Sequence, residues 1–181
     1  GDDLLEEEES VLDACLGVNV PQSNLRWHYR SRHESLIAFS NERYYEGKLI
    51  TFPSPVTTDR AVRLMAVPRG VYDRGNTRTN RAEADAVVAD VVRRLEEAAS
   101  TSGRASIGVV TFNAEQQRLI DDLLEGVRGT RPDLERYFGA ASEEPVFVKN
   151  LETVQGDERD VILFSIGYGP DAAGKVYMNF G

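Results

Sequence analysis

The 181-residue chain has one cysteine, two histidines, two methionines and one tryptophan. A lone thiol excludes an intramolecular disulfide and a cysteine-built zinc site. No apolar run approaches the roughly 20 residues that cross a bilayer. The opening Gly-Asp-Asp, followed by a glutamate run, lacks the basic-then-apolar order of a signal peptide. These features predict a soluble, cytoplasmic protein. No G-x-x-x-x-G-K-[ST], G-x-G-x-x-G or G-x-S-x-G occurs, which excludes a complete phosphate-loop NTPase and a serine hydrolase of the usual elbow type. Internal repeats and low-complexity segments are also missing.

What is present suits one globular domain with a full core, given 41% apolar residues. The net charge of −9 argues superficially against a nucleic-acid partner, but its distribution matters more than its sum. Residues 1–21 hold seven acids and no base, and residues 60–81 hold six arginines and one aspartate. Acidity thus belongs to one end, where the Glu6–Glu9 run reads as a solvated helix face, and nucleic-acid binding stays open.

Leu4, Leu5, Val11, Leu12, Cys15 and Leu16 predict an amphipathic helix over 4–16, ended by Gly17, with Cys15 buried and inert. A short strand is expected at 24–29 and a helix at 33–45, carrying Leu36, Ile37, Ser40 and Tyr44 on one side. Pro53 and Pro55 make 51–59 a loop, and 61–67 is apolar enough for a strand. Asn80 followed by Glu83 reads as a capping box opening a helix to about residue 99. An apolar strand at 106–112 runs into Asn113-x-x-Gln116, a second cap signal. A helix follows, then a helical piece at 132–139 and strands at 145–149 and 160–167. Nearly continuous apolar strands alternating with helices predict an α/β sandwich with a mostly parallel sheet covered on both faces. In such sheets ligands gather beyond the carboxyl ends of the strands. Three polar clusters are expected there: Tyr29–His33, Thr111–Gln116 and Thr153–Glu158.

Each cluster has two readings. In "RWHYRSRHE", Arg26, Arg30 and Arg32 suit phosphate, because a planar guanidinium fork makes two charge-assisted bonds to phosphoryl oxygens; they equally suit surface ion pairs. Tyr29 could stack on a base or simply pack, and His28 and His33 read as surface or packing residues before metal ligands. Thr111 and Asn113 could hold a backbone phosphate, although helix capping accounts for Asn113 as well. In "ETVQGDERD", Gly156 allows a tight turn or close ligand approach, and Gln155 and Glu158 would then project toward it. Glu158 could accept from ribose hydroxyls, or the stretch could be a polar turn.

Taken in order, the clusters resemble the second RecA-like motor domain of superfamily 1 helicases, in the branch containing the nonsense-mediated-decay RNA helicase and many large bacterial DNA-helicase-related proteins. "LRWHYRSRHESLIAFSNERYYEGKL" resembles motif IV, with its Tyr-Arg pair before a helix. "IGVVTFNAEQQRLIDDLL" resembles the following strand and helix, and "VKNLETVQGDERDVILFSIGYG" resembles motif V with its Gln-Gly-x-Glu core. The likeness spans 22–181 and implies a three-layer RecA-like sandwich. Residues 1–21 would be an acidic connector helix from a first motor domain, and the chain would stop before motif VI; the odd ending "VYMNFG" agrees with a longer native chain.

The resemblance implies that Arg30 is an arginine finger for ATP, that Tyr29 lies near the adenine, and that Glu158 binds the ribose. Gln155 and Gly156 would link nucleotide to nucleic acid, and Thr111, Asn113 and Thr153 would lie along the bound DNA or RNA single strand. ATP and magnesium would be held mainly by the first motor domain, so this chain alone would hydrolyse no ATP. The competing reading is a non-enzymatic α/β binding module, a degenerate helicase domain kept for protein contacts. A nuclease has little support, because no acids and lysine stand at convincing metal-site spacing.

Overall fold

The structure, a computed structural model, describes residues 10–55, 61–101, 103–139 and 142–177. The chain divides into two compact units, Gly1–Met65 and Ala66–Gly181. Among the described residues no helix is long and apolar enough to cross a membrane.

In the first unit, helix α1 (Val11–Gly17) starts at Ser10, whose hydroxyl oxygen accepts the Asp13 N–H at 3.2 Å. Its expected amino-terminal turns, with Glu6–Glu9, lie outside the described residues. Cys15 is only half-buried, and α1 buries no residue, so the expected enclosed thiol is not found. Strand β1 (Trp27–His28), helix α2 (Ser35–Tyr44) and strand β2 (Ile50–Thr51) follow, and the two strands pair in parallel with Trp27 opposite Ile50. The periodic pattern does not reveal β2, because two residues are too few to show an alternation. Asn41 sets the return of the chain: its amide donates to the Leu49 carbonyl at 3.1 Å and its oxygen accepts the Leu49 N–H at 2.9 Å. Gly47 makes the turn between, at φ +69°.

The expected strand at 61–67 does not form. Val62, Leu64 and Met65 are exposed there, Leu64 at 89%. Apolar character alone makes no strand where no neighbouring backbone supplies the ladder.

The second unit is built on helix α3 (Arg81–Ser100), strand β3 (Ile107–Thr111), helix α4 (Ala114–Thr130), a 3-10 helix (Pro132–Tyr137), and strands β4 (Phe147–Asn150) and β5 (Val161–Ser165). The sheet order is β4-β3-β5, all parallel, with β3 central and fully buried. Ala84, Val88, Val91 and Leu95 of α3 recur at helical spacing and pack with Ile120 and Leu124 of α4 against Ile107 and Val109. Leu134 and Tyr137 of the 3-10 helix close this core.

Gly108 points to the other side of the sheet. A Cβ there would stand 2.8 Å from Phe147 Cε2 and 2.9 Å from Ile162 Cδ1, so the glycine admits a neighbouring ring. The α/β class and the parallel pairing agree with the expectation drawn from the apolar strands.

Candidate functional site

In the first unit, Tyr29 and Arg30 leave the carboxyl end of β1 directly. Their loop is closed by His28, whose Nε2 lies 2.7 Å from Ser31 Oγ and accepts the Ser31 N–H at 3.3 Å. His33 does similar work one turn later: its Nδ1 accepts the Ser35 N–H at 3.1 Å, at a helix start where Glu34 supplies no side-chain cap. Glu34 instead accepts the Ser54 N–H at 3.2 Å. Both histidines therefore shape the loop. Tyr29 is 82% exposed, and Arg30 and Arg32 are exposed beside it. Packing does not account for Tyr29.

In the second unit, the carboxyl ends of β3 and β5 carry a buried polar network. Gln116 is fully buried and occupies the core-facing stripe of α4 with Ile120 and Leu124. Its Oε1 accepts the Asn80 N–H at 2.8 Å, while its amide donates to the Asn80 carbonyl at 3.2 Å and to Ser165 Oγ at 3.1 Å. Ser165 Oγ donates in turn to Glu83 Oε1 at 2.8 Å, which also accepts the Gly167 N–H at 2.9 Å. Asn80 reaches the Gly167 carbonyl at 3.2 Å.

Both cap signals thus form only by half. Asn80 and Asn113 cap their helices by accepting the Glu83 and Gln116 N–H groups, at 3.2 and 2.7 Å. The reciprocal side chains turn away from the N–H groups of their own caps and, through Asn80 and Ser165, join α3, α4 and the end of β5. Fully satisfied buried polar groups of this kind specify one arrangement, since any slip leaves several of them unpaired.

Thr111 lies at the end of β3, fully buried, with its hydroxyl donating to the Asn113 carbonyl at 2.8 Å. The enclosed hydroxyl braces the strand-to-helix turn. Asn113 is spent on its cap and on the Arg78 carbonyl, which its amide meets at 3.3 Å. Thr153, after β4, is drawn into a loop closed by Asn150, whose Oδ1 accepts the N–H groups of Glu152 and Thr153 and the Thr153 hydroxyl. It remains exposed.

The segment 151–160 carries the chain from the carboxyl end of β4 to the amino end of β5 without a helix, in fewer residues than the dozen or so usual for a parallel crossover. Gln155 and Gly156 sit exposed at its turn, Gly156 at φ +90° with open space where a side chain would project. The Lys149 ammonium grips Asp157 at 2.5 Å. Arg159 stacks over the Phe147 ring at 4.7 Å and donates to the Pro145 carbonyl at 2.9 Å. By Asp160, whose N–H meets Ser106 Oγ at 3.0 Å, the chain has reached the strand starts. Thr153 is thus at the upper rim, and exposed Glu158 lies on the descending limb.

The sequence pattern gives no sign of Ser165 or of the long-range partners of Glu83 and Gln116. The detectable signal is the coincidence of Gln116 with the buried stripe at positions 116, 120 and 124, where an amide must find partners.

Residues 7–167 match a family model described as an AAA domain. Over 149 residues, 80% of the chain, it is 41% identical to the uncharacterized ATP-dependent helicase MG140 of Mycoplasma genitalium. Over the same share it is 40% identical to the MG140 homolog of Mycoplasma pneumoniae. The chain spans 13% of the length of each. The parallel α/β architecture agrees with a RecA-like domain of the P-loop NTPase type, and with the match running through both compact units this chain belongs to the AAA-domain family.

Proposed function

We propose that the chain is part of the second RecA-like motor domain of a superfamily 1, ATP-dependent helicase that moves along a DNA or RNA single strand. The observation that carries this reading is the ordered Tyr-Arg, strand-to-helix and Gln-Gly-x-Glu series inside a region alike to proteins named as ATP-dependent helicases. In it Arg30 is the arginine finger, Tyr29 a contact to the adenine, and Glu158 a contact to the ribose. Gln155 and Gly156 form the turn between nucleotide and nucleic acid.

The residues fit such a group. Tyr29 and Arg30 stand exposed beyond a strand end, and the Gly156 turn leaves open space for close approach. In this reading magnesium and the triphosphate cradle belong to the first motor domain. An arginine so placed offers in-plane donors to phosphoryl oxygens as charge builds on them, and a finger of this kind contributes about 10³- to 10⁵-fold in rate.

Arg30→Ala in the full-length protein tests this reading. ATP turnover stimulated by single-stranded nucleic acid is expected to fall by about that factor. Unimpaired turnover would favour the non-enzymatic binding module. The isolated chain is expected to hydrolyse no ATP, and a robust rate from it would overturn the division of labour between two motor domains.

A further inference from the structure

The basic stretch that precedes α3 has no part in the motifs above. In the second unit it forms a closed turn. Asp73 donates its N–H to the Thr79 carbonyl at 2.9 Å and accepts the Arg78 N–H on its own carbonyl at 2.8 Å. Its carboxylate accepts the Thr77 N–H at 3.1 Å, the Thr77 hydroxyl at 2.9 Å and the Asn76 amide at 3.3 Å. These bonds, the Thr77 N–H first, hold the Asp73 carboxyl below the usual carboxylate range, so the turn keeps its closing anion at neutral pH.

The turn rests on the segment after β5. Tyr72 donates its N–H to the Pro170 carbonyl at 2.9 Å, and its ring meets Tyr168 edge-on at 5.1 Å. Arg74 lies over the Tyr177 ring at 4.3 Å, and Lys175 lies 4.7 Å from the same ring centre. A guanidinium held over a ring is fixed in place while keeping its full charge. Two cations gathered on one exposed tyrosine make a place that an anion would relieve.

Arg78 adds a third cation. Its backbone sits at φ +56°, a conformation uncommon for a residue with a side chain, and its carbonyl is tied to Asn113 at the carboxyl end of β3. Its side chain is 66% exposed, and its nearest described acid, Glu115, is 3.8 Å away, a weak surface pair. Arg78 therefore presents its charge at the rim where enclosed Thr111 does not reach solvent. The nearby acids Asp73 and Asp171 are engaged in closing their own turns, Asp171 by accepting the Ala173 and Lys175 N–H groups at 2.9 Å.

We propose that Arg74, Arg78, Lys175 and Tyr177 form a contact site for single-stranded nucleic acid, the cations holding consecutive phosphates and the tyrosine ring holding Arg74 and Lys175 together. A row of cations is chemistry that single strands select, because the charge tracks the phosphate backbone without regard to sequence. The site rests on the motor reading and deepens it by naming where the second unit touches its track.

The test uses the full-length protein, with fluorescent oligothymidine and oligouridine probes titrated at several salt concentrations. Replacing Arg74→Gln and Arg78→Gln together is expected to weaken binding by about tenfold or more. The slope of log affinity against log salt should become shallower by about 1.4, roughly 0.7 for each single-strand phosphate no longer neutralised. The paired Arg→Lys variant should keep the slope, because a point charge still pairs with phosphate. Lys175→Gln, on an exposed turn, should cost about 0.7 of slope and serves if the double variant melts early. If the wild type binds its probes and these variants keep its affinity and salt slope, the site is overturned while the motor reading stands. If the wild type binds neither probe, the motor reading fails, and the site falls with it.

Discussion

The two compact units handle apolar side chains in opposite ways. In the second, α3 and α4 bury a continuous stripe against β3, and Leu95, Val91, Ile120 and Val109 are fully enclosed. In the first, no described residue is buried, and Leu25, Trp27, Phe39 and Tyr44 remain exposed around a two-residue parallel pair. Local hydrogen bonds hold that unit's shape, through Asn41, His28 and His33. The contrast separates a scaffold stabilised by area removed from water from a loop platform stabilised by polar ties, each worth far less. It suits the assignment of the exposed arginine loop to ligand contact, since binding groups sit on loops while cores supply rigidity.

The contrast is sharpest at one leucine and one phenylalanine. Leu95→Ala should destabilise by about 3–4 kcal/mol, because the enclosed site cannot collapse fully around the missing methyls. Phe39→Ala in the first unit should stay within about 0.5 kcal/mol, as for other exposed positions. Urea denaturation of the two variants decides it. Equal costs would mean that Phe39 is covered in the folded protein.

A smaller gap is expected between polar side chains. Gln116→Leu keeps the bulk but leaves the buried Asn80 N–H without an acceptor and removes one donor each from the Asn80 carbonyl and Ser165 Oγ, and should cost about 3 kcal/mol. Asn41→Ala loses two bonds at a half-exposed turn and should cost about 1 kcal/mol. Should the two prove equal, the buried network would carry no more than an ordinary turn does.

The smallest effect concerns pH. Burial pushes the Asp90 carboxyl up, but bonds from Arg94 and Arg93 outweigh it and hold the group below the usual carboxylate range. A carboxyl whose folded value is depressed stabilises the protein above its unfolded value, about 4, and loses that contribution as pH falls through the folded one. Asp90→Asn should therefore flatten the dependence of melting temperature on pH below about 4. A wild-type acid limb unchanged by the substitution would remove Asp90 from the account.

Much of the second unit is legible from periodicity. Ala84, Val88, Val91 and Leu95 reveal α3, and the unbroken apolar run before Thr111 reveals a strand buried on both faces. The first unit reads less well, because β2 is too short to alternate and 61–67 is apolar without a partner strand. Site residues divide the same way. The exposure of Tyr29 and Arg30 follows from their place after a short strand, whereas the enclosure of Thr111 depends on how the Asn113 turn folds back over it.

By itself the chain's order of residues determined the α/β class, the helix starts at Asn80 and Asn113, and the glycine turn at Gly156, because each depends on neighbours within a few positions. Only the tertiary structure decided that the Glu83 and Gln116 side chains meet at Ser165, and that Arg74 lies over Tyr177. Those pairings join residues 49 to 103 positions apart, and a hydrogen bond or a ring contact is set by distance in space, which local pattern does not encode.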